Sequence, residues 1–410
     1  MKKLLLSAVL ILSVNAENLK SVLNYAITHN ELAISKDITA KQPLLESKSL
    51  KKDYYPKVYI GGAYQRIDPV PFGKPGDTYT GFVRVFVNLY DGNKKKYQIK
   101  SKKFQFESLN YQSKSYKKQL EFNIVNLYFN IKSLKAQLKA LKTAKEYLLA
   151  EYKRVENSYK QGLVTEYDVK KIEASLFNTN YQIENLKYQL SELKSNLNLY
   201  VGKKINNIDD SFILAPKNIK PKTLDNIKAL NAQMKEVEYS AKSLDSVYKP
   251  QIKLEDSYSI YKYGRDDKVL YEEDNQNQLS LTVNMLIFDN NSLKTQKEAL
   301  LVQKLSLKKQ IDYYKKEQNK NLKLVLLNIK TIKTQILSAQ KSLEAANIAF
   351  EMISNKYHIG EATVVDYLDA LNQKTNALAE YKVALYRLQV AYANYYLNAN
   401  CDIRKYIKEK

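Results

Sequence analysis

With 10 Gly and 8 Pro in 410 residues, the chain has too few turn residues to be cut into many short pieces, so long uninterrupted elements are expected. Lys, Leu, Asn, Glu, Gln, Ala and Ser dominate, a helix-permissive mixture, while 34 Tyr beside no Trp is an unusual aromatic balance. The formal charge of +23 invites an anionic partner, but the 66 Lys and Arg are strewn among 43 Asp and Glu along amphipathic segments, and Lys94 to Lys96 is only a short run. Without zinc-finger spacing, a recognition-helix pattern or an RNA-binding aromatic signature, nucleic acid is set aside as a partner.

The chain opens with basic Lys2 and Lys3, an apolar Leu4 to Leu12 broken by Ser7, and small residues at Val14-Asn15-Ala16. This predicts a secretory signal over 1–16, too short to span a membrane, and no later run holds about 20 apolar residues. Cys401 is alone and forms no disulfide framework, leaving a buried or free thiol near the C-terminus.

Next come two strand candidates. After Tyr54-Tyr55-Pro56, one runs from Val58 to Ile67; a loop, Asp68 to Thr78, carries three Pro and two Gly. The second alternates Tyr79, Gly81, Val83, Val85, Val87 and Leu89 with Thr80, Arg84 and Asn88, although Phe82 and Phe86 blur its polar face. Together they predict a hairpin of strands at about 56–67 and 79–90.

A helix is predicted over about 91–161, on the order of 100 Å at ~1.5 Å per residue. Leu127, Ile131, Leu134, Leu138 and Leu141 step by four and three along it, and neither Pro nor Gly interrupts it after Gly92. It should stop near Gly162, where a residue without Cβ takes the left-handed backbone that ends a helix. A return helix over about 165–201 is marked by Ile183, Leu186, Leu190, Leu193 and Leu197.

The whole unit then recurs. Tyr159, Gly162, Thr165 and Asp168 reappear 198 residues on as Tyr357, Gly360, Thr363 and Asp366, and Leu89-Tyr90-Asp91-Gly92 as Ile287-Phe288-Asp289-Asn290. The chain is thus read as a first repeat over 17–202, a linker over 203–221 and a second repeat over 222–410. The second repeat has strands at about 250–263 and 278–289, a long helix at about 290–358 and a return helix at about 363–400. Its second strand alternates more cleanly, Leu279, Leu281, Val283, Met285 and Ile287 against Gln278, Ser280, Thr282 and Asn284; the intervening loop, Gly264 to Asn277, holds five acidic residues.

Alternation fits either a soluble half-buried sheet or a lipid-facing, water-lined barrel, and periodicity alone does not separate them. Ten to twelve residues per strand suit the ~9 to 11 tilted residues that cross a bilayer. Four strands cannot close a barrel, and open edges in hydrocarbon leave backbone groups unpaired at several kcal/mol each, so a membrane role demands several copies. Tyr54, Tyr55, Tyr79, Tyr90, Tyr248 and Tyr263 stand near strand ends, where an interfacial aromatic belt belongs.

This order, with a leading helix beginning near Leu19-Lys20-Ser21-Val22-Leu23, resembles the TolC family of outer-membrane efflux proteins. The sharpest pieces are Gly162-Leu163-Val164-Thr165-Glu166-Tyr167-Asp168-Val169 and the stretch Tyr357 to Ala370. The resemblance implies a mainly α chain with a small membrane β component: a two-fold internal repeat, each half a β-hairpin plus a very long helical hairpin, assembled into a trimeric α/β-barrel channel.

It also implies a passive duct without cofactor, set in outer-membrane lipid, its helical tunnel meeting a periplasmic adaptor and an inner-membrane pump or ABC exporter. Asp366 and Asp369 fall on the positions of an aspartate pair at the family's periplasmic constriction. Their spacing of three puts both on one helix face, and threefold symmetry gathers six around the axis, a ring that favours cations. The plain alternative for Asp366 is a helix-start cap.

Tyr357 and Asp168 match a gate latch, a hydroxyl-to-carboxylate bond that adaptor binding would break; the alternatives are a heptad knob and a cap. Gly162, Leu163, Thr165, Gly360, Glu361 and Thr363 match the tip turns that dock the adaptor. Ala362 stands where the family adds an Arg link. His358, inside the same tip, is a candidate pH sensor or metal ligand, roles that a lone His seldom has.

A periplasmic coiled-coil or adaptor protein is the competing reading, but an adaptor needs a split β domain around a single hairpin, whereas here two equal units repeat. No Gly-x-Ser-x-Gly, His-Glu-x-x-His or phosphate loop occurs and there are two His, so neither catalytic nor metal residues are expected.

Overall fold

The computed structural model describes residues 18–217, 219–264 and 273–409, so the 1–16 signal segment lies outside the described residues. Among the described residues thirteen α-helices and β-strands follow one another: α1 (Leu19–His29), α2 (Glu31–Lys52), β1 (Lys57–Arg66), β2 (Asp77–Asp91), α3 (Lys94–Lys160), α4 (Glu166–Val201), β3 (Ser211–Ile213), α5 (Asp225–Asp245), β4 (Gln251–Gly264), β5 (Asn275–Asn284), α6 (Ser292–His358), α7 (Val364–Asn398) and β6 (Ile407–Glu409). α3 and α6 are each 67 residues long, and their ends differ by the 198 residues of the sequence repeat. The chain divides into two compact units, neither of which is a sequence repeat: each takes segments from both halves.

One unit comprises the described parts of Met1–Ser35, Ser113–Asp225 and Lys315–Lys410. Its larger core joins Leu19 and Leu23 of α1, Ile124 and Tyr128 of α3, Leu197 of α4 and Tyr396 of α7. The linker is not structureless. β3 lies within it and pairs antiparallel with β6, from the far end of the chain. Three-residue strands are too short for alternation to announce them. The Tyr396 hydroxyl donates to the Leu214 carbonyl at 2.8 Å, so a fully buried phenol is satisfied by the linker backbone. Cys401 is a half-buried free thiol packed against this core.

The other unit comprises Lys36–Gln112 and Asn226–Tyr314 and contains the four-stranded sheet, wholly antiparallel in the order β1-β2-β4-β5. Register aligns Val58 with Val85 and Ile60 with Val83; Val83 faces Tyr258, and Leu254 faces Leu281. The period of two puts these side chains on one face, interrupted by Asp256 and Lys262. That apolar face is open to solvent: Ile60 is 85% exposed, Leu279 71% and Leu281 63%. The opposite face carries Thr80, Lys253, Ser257, Gln278 and Ser280, with Arg84 Nε 2.9 Å from Glu255 Oε1.

β5 ends earlier than the alternation predicts. It pairs as far as Asn284, opposite Gln251, and Met285 to Asp289 lie beyond the ladder. Pro250 precedes β4, and a proline nitrogen has no hydrogen to give to a continued ladder. β2 instead reaches Asp91 through an irregularity between Asn88 and Tyr90. Gly92 then turns with φ +70°, where a Cβ would lie 2.3 Å from the Ser246 carbonyl oxygen, so glycine is required on both counts. Its counterpart Asn290, at φ 53°, is among the few side chains that tolerate this conformation. Among the described residues no helix is long and apolar enough to cross a membrane.

Candidate functional site at the hairpin tips

Both tips are built by the same local rules. α3 ends in a Schellman turn, Gly162 N donating to the Tyr159 carbonyl and Leu163 N to that of Ser158, both at 2.9 Å. α6 ends alike, Gly360 N reaching Tyr357 O at 3.2 Å and Glu361 N reaching Lys356 O at 2.8 Å. Gly162 and Gly360 have φ of +72° and +83°, and nothing lies within 4 Å of where a Cβ would stand. Backbone conformation, not space, demands glycine here.

Each return helix begins with a capping box. Asp168 N donates to Thr165 Oγ1 at 3.3 Å, and Thr165 N and Oγ1 donate back to Asp168 Oδ2 at 3.1 and 2.7 Å. Thr363 and Asp366 repeat the motif, the two bonds back to Asp366 Oδ2 measuring 3.0 and 2.6 Å. These bonds hold the Asp366 carboxyl below the usual aspartate range, Thr363's hydroxyl first and its backbone N–H next. Asp369 is exposed one turn further along the same face, its Oδ2 accepting from Gln373 Nε2 at 2.7 Å. The two candidate constriction carboxylates thus both face water, and one of them also caps a helix.

The hairpins meet in a second core, where Leu148 and Val155 of α3, Val169 and Ile172 of α4, Phe350 of α6 and Tyr367 and Leu371 of α7 pack together. Tyr357 lies at its edge, stacked on Tyr367 at 5.0 Å between centroids, with the Arg154 guanidinium over its ring at 5.1 Å. The expected bond between Tyr357 and Asp168 is not formed. Asp168 is committed to its capping box. Burial, then the Glu151 carboxylate, pushes the Tyr357 phenol up to about 12.

Glu151 is the residue that the sequence reading passed over. It is 4% exposed, accepts from Arg154 Nε at 2.9 Å, and has its other oxygen 3.3 Å from His358 Nε2. Arg154 stands on the same helix turn, whereas His358 ends the long helix of the opposite hairpin. The signal was available in the repeat. Glu151 and Arg154 align with Ala349 and Met352, so the charge is confined to the first hairpin.

Residues 47–203 match the family described as outer membrane efflux protein. In fold the chain is similar to the CmeC outer membrane channel of Campylobacter jejuni, with TM-score 0.81 and 17% identity over 94% of this chain and 86% of that one. It is similar also to the outer membrane protein VceC of Vibrio cholerae, with TM-score 0.77 and 13% identity over 94% and 96% of the two chains. By sequence over residues 47–203 the chain is similar to outer membrane efflux proteins, and by fold over nearly its whole length it is similar to solved outer membrane channels. The open state of the MtrE outer membrane channel of Neisseria gonorrhoeae matches with TM-score 0.75 and 10% identity over 93% and 89%. No curated protein matches the chain in sequence.

At the tips the polar groups are engaged in turns, caps and the contact between the hairpins. Among the described residues no group of three or more His, Cys, Asp or Glu is placed to hold a metal ion. His358 belongs to the Glu151 contact.

Proposed function

We propose that the chain forms the outer-membrane exit duct of a tripartite efflux or secretion system. Three copies join their four-stranded sheets into a twelve-stranded barrel, and the long helices continue as a periplasmic tunnel. The duct is passive; an inner-membrane pump or ABC exporter, reached through a periplasmic adaptor docked on the turns around Gly162 and Gly360, supplies the energy. The observation that carries this reading is the sheet: one apolar face lies exposed, and β1 and β5 have open edges. Such edges are intolerable in lipid unless further strands close them, and unusual in water. Asp366 and Asp369 of three copies line the entrance and hold cations there.

The test is fractionation followed by conductance. The mature chain is expected in the outer membrane, to extract in detergent as a heat-sensitive trimer, and to conduct in planar bilayers. Recovery as a soluble periplasmic monomer would overturn the proposal and favour a coiled-coil or adaptor role.

A further inference from the structure

The residues Met285 to Phe288 lie beyond the β5 ladder and are all exposed, Ile287 at 85% and Phe288 at 77%. A run of exposed apolar residues is a liability in water, so an apolar partner is expected to cover it. The run borders an open cleft of about 400 Å³ at the foot of the sheet, walled also by Leu244 of α5, Tyr248, and Leu293 and Lys294 of α6. We propose that this cleft holds the headgroup of an anionic phospholipid, its phosphate on Lys294 and its first acyl carbons along Ile287 and Phe288. The inference rests on the duct reading and deepens it by naming the lipid that the wall recognises.

The charges in the cleft are already sorted. Asp289 is turned into the start of α6, its Oδ2 accepting from Leu293 N and its Oδ1 from the Tyr248 hydroxyl, both at 2.9 Å. Asp245 is met by Lys297 Nζ at 3.0 Å. Lys294 is exposed and has no carboxylate partner among the described residues, so its ammonium is the charge left for a ligand. A phosphate oxygen suits it as a charge-assisted acceptor, while the apolar wall takes the lipid's first methylenes out of water. In the first repeat the equivalent frame is spent within the chain. Asp91 accepts from Lys95 N at 2.9 Å, as Asp289 does from Leu293 N. Lys95, standing where the second repeat has Leu293, turns its Nζ back onto Asp53 Oδ2 at 2.5 Å and over the Tyr54 ring at 5.1 Å.

The surroundings decide the sign of the lipid. The segments between sheet and helices, 48–56, 92–103, 242–250 and 285–298, hold eleven Lys and four Asp or Glu. Those linking β1 to β2 and β4 to β5, 67–76 and 265–274, hold three basic and six acidic residues. Gly92 packs against Ser246 and Lys249, which brings the Lys94 to Lys96 run beside the turn that carries Tyr248. Each Lys near a lipid surface favours an anionic headgroup about fivefold.

The experiment is native mass spectrometry of the purified trimer titrated with dioleoyl phosphatidylglycerol, dioleoyl phosphatidylcholine or glycerol 3-phosphate. Phosphatidylglycerol is expected to bind one per chain and about fivefold or more tighter than phosphatidylcholine, and glycerol phosphate, without acyl chains, not to be retained. Lys294→Gln should lower phosphatidylglycerol affinity about fivefold with the heat-sensitive trimer band kept, and Phe288→Ser should weaken both lipids alike. Lys309→Gln, exposed about four turns along α6, should change neither. Equal binding of the two lipids, unchanged binding in Lys294→Gln or Phe288→Ser, or retention of glycerol phosphate as firm as that of the lipid overturns the proposal and leaves the duct reading standing. Loss of the trimer in Lys294→Gln also overturns it, making the cleft a contact between copies. A wild-type chain that forms no membrane trimer overturns both.

Discussion

The two hairpin tips have the same backbone and different chemistry. Both end in a left-handed glycine, both restart with a Thr-x-x-Asp capping box, and their equivalent atoms make bonds within a few tenths of an ångström of one another. At the positions the repeat leaves free, they diverge. The first tip has Val169 and Lys171 where the second has Tyr367 and Asp369, and the first keeps Glu151 and Arg154 where the second has Ala349 and Met352. One hairpin thus supplies a buried acceptor; the other supplies His358, a buried aromatic ring and an exposed pair of carboxylates. The repeat shares what local helix-ending rules require and differs at the other positions.

The largest expected break in this comparison comes from truncating tyrosines. Tyr367 is 3% exposed at the centre of the tip core, and Tyr367→Ala should destabilise the tip by about 3 to 5 kcal/mol, as for other buried aromatics. Tyr167, 58% exposed on the other return helix, should lose less than about 0.5 kcal/mol on the same change. Limited proteolysis of the tips separates the two; equal sensitivity would mean that Tyr367 is not a keystone.

A second asymmetry is electrostatic. If the proposed trimer gathers these residues at its axis, Asp366→Ala with Asp369→Ala removes six charges there and should weaken block by a polyvalent cation roughly tenfold or more. Asp168→Ala, on the hairpin that carries Lys171, should leave block unchanged. Unaltered block in the double variant would remove the aspartate ring from the entrance.

The caps, in contrast, should behave as equals. Thr165→Ala and Thr363→Ala each remove a capping hydroxyl and should cost about 1 kcal/mol apiece, read from hydrogen exchange in the first turns of α4 and α7. A large difference would show that one box is held by its surroundings.

The smallest effect is a pH dependence. Thr363 depresses the Asp366 pKa in the folded chain, so the cap contributes stability at pH values above the unfolded aspartate pKa. That contribution fades as pH falls through the lower, folded value. Exchange at the start of α7 should therefore quicken on acidification below the ordinary aspartate range, and Asp366→Asn should abolish the change.

Much of this was legible in residue order because the determining forces are local. A heptad pattern without Pro or Gly makes one long helix, Gly162 and Gly360 end it, Thr-x-x-Asp restarts it, and strict alternation makes a strand; each acts within a few residues, so a 198-residue repeat carries them faithfully from one half to the other. What tertiary structure alone decided depends on partners far apart in the chain. β5 stops at Asn284, opposite the first residue of its neighbour β4, the linker gains a strand because the C-terminus lies beside it, and Asp168 turns inward to its own helix. Glu151 becomes the inter-hairpin contact only when folding buries it 207 residues from His358, for a carboxylate's role is set by what surrounds it once water is gone.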